Sequence, residues 1–117
     1  MNVQDYLDFS DDALYEMLGA SLLGVGIGIS PEDRDNHRRF GKQWFARQYG
    51  ELQRRICDDK RVRELTGTTV SDRFVDAAAI VELLSQHDDY RANAGLIAVL
   101  VARIGLGTFC ANVKAGS

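Results

Sequence analysis

Pro31 is the single proline of this chain, and the residues around it constrain the fold more than any other feature. Ser30-Pro31-Glu32-Asp33 reads as a helix start: a serine N-cap, proline at the first helical position, and two acids at the positive end of the helix dipole. With no second proline to stop it, the helix is predicted to run to about Cys57, and to Leu65 at its longest. At about 100° per residue, Phe45, Tyr49, Leu52 and Ile56 stack along one line. Phe40 and Trp44 form a second line, and the two lines flank Gly41 and Gln48. An apolar surface this wide suits a helix packed against two neighbours. The opposite arc carries Arg39, Lys42, Gln43, Ala46, Arg47, Gly50, Gln53 and Arg54 and contains no acid. Gly41 and Gly50 mark either close helix contacts or kinks.

The rest of the chain reads as helix too. A short helix opens near Asn2 with Val3, Tyr6, Leu7 and Phe9 as its apolar members. Ser10-Asp11-Asp12 starts a better one, with Leu14, Leu18 and Leu22 at i, i+4 spacing. That helix is expected to fade in Gly24-Val25-Gly26-Ile27-Gly28, where alternating glycines weaken it at every second position. Ser71, with Val70 and Val75 as a hydrophobic staple, caps a further helix carrying Ala77, Ile80, Val81 and Leu84 and ending near His87. Residues 90–104 are apolar nearly all round, as a central bundle helix would be. The alanines at 92, 94, 98 and 102 favour helix over strand there. Gly105 and Gly107 close it, and Thr108 to Ser117 reads as a tail with Phe109 and Cys110 as anchors, flexible over 111–117. The expected fold class is all-α: one compact four- to five-helix bundle-like domain spanning residues 1–117.

At 117 residues, with 45% apolar and 26% charged positions, the chain has the composition of a folded domain, not of a disordered one. The acidic N-terminus lacks the basic region of a secretory signal, and Met17–Ile29 and Leu96–Cys110 are too short to span a bilayer. The expected location is therefore cytoplasmic, with no membrane span. Cys57 and Cys110 are expected as buried free thiols in apolar surroundings.

Chemistry-bearing patterns are sparse. His37 and His87 stand far apart, and the Asp33/His37 pair lies in the exposed first turns of a helix, so no metal site or cofactor is expected. Asp58 and Asp59 would disfavour a Cys57 thiolate. Ser10, Ser30 and Ser71 are accounted for as caps. Gly24-Val25-Gly26-Ile27-Gly28 lacks the strand, spacing and Lys-Ser/Thr of phosphate loops and is followed by acids. No catalytic residue is assigned, and the chain is read as a non-enzyme.

Charge is distributed unevenly. Residues 1–33 hold seven acids and no Lys or Arg, whereas residues 34–63 hold ten bases and four acids. The net charge of −3 thus conceals an acidic head and a basic middle. Arg39, Lys42, Arg47 and Arg54 form a positive stripe suited to steering a partner. Gly24, Gly26 and Gly28, together with the apolar tail near Phe109, are the candidate apolar part of the contact. The chain is read as a helical protein–protein interaction module: an adaptor, a regulator or a small subunit, self-associating or bound to another chain. The alternative is a small nucleic-acid-binding subunit using the same stripe on phosphates, which the acidic pI near 5.3 disfavours. In general layout the chain is similar to small helical adaptor and regulator domains, a similarity that carries no residue roles.

Overall fold

The Ser30 start signal operates as read. In the computed structural model, which describes residues 3–24, 30–66 and 73–111, the Ser30 hydroxyl accepts a hydrogen bond from the Asp33 amide at 3.1 Å. Ser10 does the same for Ala13 at 3.1 Å, satisfying amides that the first helical turn leaves unpaired. The helices are α1 (Val3–Tyr6), α2 (Asp11–Leu23), α3 (Pro31–Cys57), α4 (Lys60–Thr66), α5 (Arg73–Leu84), α6 (Ala94–Ile104) and α7 (Leu106–Cys110), with a 3₁₀ turn at Arg91–Asn93 before α6. The architecture is all-α, and the described residues contain no strand. The cap expected at Ser71, Val70 included, lies outside the described residues.

At about 1.5 Å per residue, the 27 residues of α3 make a rod of about 40 Å, and the molecule's longest dimension is 43 Å. This helix therefore sets the length of the fold. Phe45, Leu52 and Ile56 are buried along its inner side, and Tyr49 and Trp44 pack partly buried beside them. Phe40 is a departure: it is half-buried and stands outside the core cluster of described residues.

Two glycines decide how α2 meets α3. A Cβ on Gly41 would overlap the Tyr15 carbonyl and come within 2.9 Å of the Gly19 amide. A Cβ on Gly19 would overlap the His37 carbonyl. Backbone lies against backbone at this crossing, with the helices antiparallel. Gly50 has nothing within 4 Å of where its Cβ would be. Of the two glycines in α3, Gly41 is thus a contact glycine, Gly50 is exposed, and neither interrupts the helix.

α6 is the central helix: Leu96 to Ala102 are all buried, and it packs against α1, α2, α5 and α7. It begins at Ala94, because residues 91–93 take the tighter 3₁₀ form. Near its end Arg103 reaches back to the N-terminal segment. Its guanidinium donates to Leu7 O at 2.7 Å and to Phe9 O, and pairs with Asp11 at 2.9 Å. It thereby satisfies carbonyls in the α1–α2 connection that no helix partner reaches.

Two expectations about the C-terminal part are overturned. Residues 108–110, expected to begin a tail, instead belong to helix α7, and Phe109, expected as an anchor, is fully buried. A side chain held in the core is unavailable for the partner contact proposed for it on sequence grounds. Cys57 and Cys110 are not free thiols: they form a disulfide with Cα atoms 5.7 Å apart. Apolar surroundings alone suit thiol and disulfide equally, and a separation of 53 positions does not show whether the two sulfurs meet. Once α7 folds back, with Gln53 Nε2 donating to Phe109 O at 2.8 Å, the ends of α3 and α7 coincide.

Candidate partner-binding face

The sequence-predicted cations Arg39, Lys42, Arg47 and Arg54 all lie exposed on α3. At 100° per residue, Gln43, Ala46, Arg47 and Gly50 point away from Gly41, where α2 packs. The helix therefore separates its two jobs: α2 and the core occupy one side, and solvent meets the other.

The face is less uniformly positive than its sequence suggests. Asp35 pairs with Arg39 at 2.6 Å and with Arg38 as well. Glu51 pairs with Arg54 at 2.5 Å and Arg55 at 2.9 Å. The Arg39 hydrogen bond, with lesser help from Arg38, holds the Asp35 carboxyl below the usual carboxylate range. Arg55 and then Arg54 do the same for Glu51. The acid-free arc is thus corrected: acids from its borders reach in at i, i+3 and i, i+4 spacing. That spacing was available in the sequence. It leaves Lys42 and Arg47, which form no ion pair with a described residue, as the uncompensated charges of the face.

Between them the surface is low. Ala46 is exposed, and above Gly50 the space is open. A partner can approach the α3 backbone here without displacing side chains. Of the glycines proposed as its apolar component, Gly24 is exposed and caps α2 in the left-handed region at φ 71°. Its conformation serves the helix end, with its amide bonded to Ala20 and Ser21 carbonyls. Gly26 and Gly28 lie outside the described residues.

Arg55, which the sequence reading did not single out, joins α3 to the connection before α6. It donates to His87 Nδ1 at 3.0 Å, stands 3.6 Å from Asp89 and lies 5.2 Å from the Tyr90 ring centroid. The Tyr90 hydroxyl in turn donates to Gln48 at 2.9 Å. Burial pushes the Tyr90 hydroxyl above its ordinary pKa. Burial, then Asp11 and Asp12, does so for Tyr15. Both rings remain neutral hydrogen-bonding and packing groups at ordinary pH.

Elsewhere, a groove of about 510 Å³ runs between α1, α5 and the start of α6, with Tyr6, Val81 and Arg91 among its walls. Arg91 is committed there to Asp88 at 2.7 Å and to the Ser85 carbonyl. Among the described residues, no group of three or more His, Cys, Asp or Glu is placed to hold a metal ion. No described helix is long and apolar enough to cross a membrane.

No protein-family model, curated protein or solved structure matches this chain.

Proposed function

We propose that this chain is a non-enzymatic helical docking module that binds protein through the outward face of α3. The observation that carries this reading is the pair Lys42 and Arg47, uncompensated and exposed beside the low surface of Ala46 and Gly50 on an unbroken helix. A cation held in water without a counter-charge adds little to stability, whereas across an interface it steers encounter and fixes register. Arg39 and Arg54 border the same face, and Phe40 stands half-exposed at its edge; arginine and aromatic residues are enriched where binding energy concentrates. The nucleic-acid reading is weaker, because the Asp35 and Glu51 carboxylates stand in the path a phosphate backbone would follow.

Reversing both charges, Lys42→Glu with Arg47→Glu, tests this reading in a low-salt co-purification. Loss of the captured protein with helical content and unfolding midpoint unchanged supports it. Retention of the protein defeats it, as does recovery of nucleic acid alone.

The disulfide bears on where the chain works. A Cys57–Cys110 bond persists in an oxidising compartment and is kept reduced in a cytosol. The cytosolic setting read from the sequence therefore goes with the dithiol form, and the bridged form with an oxidising one. Thiol alkylation of the chain taken directly from cells distinguishes them.

A further inference from the structure

We infer that the partner seated on the α3 face is a second copy of this chain, presenting its acidic N-terminal face. The inference rests on the docking reading above and names its occupant. Residues 1–33 carry seven acids and no Lys or Arg, and residues 34–63 carry ten bases against four acids. Among the described residues, folding brings these two sets together along one seam only, where Asp12 and Glu16 of α2 share a pocket with Arg34 and Arg38 of α3. Arg38, partly exposed, meets the exposed Asp12 at 3.6 Å, and Asp11 is taken by Arg103 of α6. Asp8 and Glu16 form no ion pair with a described residue, and neither do Lys42 and Arg47.

Geometry keeps these groups apart within one copy. α2 packs on the Gly41 side of α3, against backbone, and cannot reach around the helix to Arg47. Arg103 holds the Leu7 and Phe9 carbonyls and Asp11, pinning the segment that carries Asp8 to α6. The molecule therefore retains an acidic end and a basic flank that do not neutralise each other. A neighbouring copy meets both demands, laying Asp8 and Glu16 along Lys42 and Arg47, where Ala46 and Gly50 allow close approach. Because the two surfaces differ, the contact is heterologous, and it either closes a ring or extends a chain. The charges govern association rate and salt sensitivity more than the depth of the bound state.

Sedimentation velocity over a wide concentration range tests this, at about 10 mM salt, where the Debye length is about 30 Å, and at about 1 M, where it is about 3 Å. Wild type is expected to form concentration-dependent oligomers at low salt, with apparent affinity falling roughly tenfold or more at high salt. Lys42→Glu/Arg47→Glu and Asp8→Lys/Glu16→Lys are each expected to be monomeric with wild-type helical content, and an equimolar mixture of the two to associate again. The neutral pair Asp8→Asn/Glu16→Gln should weaken assembly in the same direction should the reversed pair not fold. A wild type monomeric throughout at low salt overturns self-association, while the docking reading keeps its own capture test. Oligomers that survive Lys42→Glu/Arg47→Glu overturn the seating of a second copy on the α3 face, and the docking reading is again decided by capture. A mixture that stays monomeric overturns the proposed pairing of head and flank.

Discussion

Replacing Gly41 with alanine should destabilise the fold, although alanine is the better helix former. The new methyl would overlap the Tyr15 carbonyl and stand 2.9 Å from the Gly19 amide, where ordinary contact begins at 3.4 Å. Both obstacles are backbone, so neither can rotate away, and α2 must lift from α3 by about 1 Å. That motion also loosens Leu14, Leu18 and Phe45, which are buried at the same seam. Overpacking of this kind costs about 1–3 kcal/mol, and the loss of dispersion contacts along the seam adds to it. The gain in helix propensity returns about 1 kcal/mol. The net expectation is a loss of about 2 kcal/mol, or roughly 8 °C in unfolding midpoint for a domain near this size. Gly50→Ala is the control: the same propensity gain applies, and nothing lies within 4 Å of the new methyl. It should stabilise by about 0.5–1 kcal/mol. Urea unfolding followed by circular dichroism reads both changes. A Gly41→Ala protein as stable as wild type would refute the close crossing of α2 and α3.

Other perturbations have signs that follow as directly. The Cys57–Cys110 bond closes a span of 53 residues, so reduction, or Cys57→Ser with Cys110→Ser, should lower stability by up to about 4 kcal/mol on the chain-entropy account, read as a shift in denaturant midpoint. Arg103→Met leaves the Leu7 and Phe9 carbonyls without their donor. It should cost about 2 kcal/mol and speed amide exchange across residues 3–9. Asp35 and Glu51 have carboxyls depressed by Arg39 and Arg55 respectively. Their contribution is therefore full above the ordinary carboxylate range and is lost as pH falls through the lower folded-state values. The stability difference between wild type and Asp35→Asn/Glu51→Gln should accordingly shrink in acid; a difference that is constant with pH would show these pairs to be without effect.

Much of the helical framework was legible because its signals are local. Ser10 and Ser30 act within three residues of themselves, and the proline-led start, the apolar periodicity of α3 and the all-round apolarity of α6 are properties of single segments. What could not be read depends on how segments meet. Gly41 and Gly50 look alike in sequence, and only the approach of α2 distinguishes them. Phe109 and Cys110 follow two glycines, which punctuate a chain without saying whether it then leaves or folds back. The stripe itself was legible from the charge pattern, but its strength was overstated. Asp35 and Glu51 lie at its borders, and long arginine side chains bend toward them. The Arg55 contacts with His87 and Tyr90 join positions more than thirty residues apart, beyond any periodicity argument.

Amine acylation of Lys42, followed by peptide mass spectrometry, tests the docking face most directly, with exposed Lys60 of α4 as the internal reference. In dilute protein at high salt, Lys42 should react as readily as Lys60. In the low-salt assembly it should be protected while Lys60 remains reactive. Slow labelling of Lys42 in the dilute monomer, or equal labelling of the two lysines in the assembly, would contradict the assignment of this face.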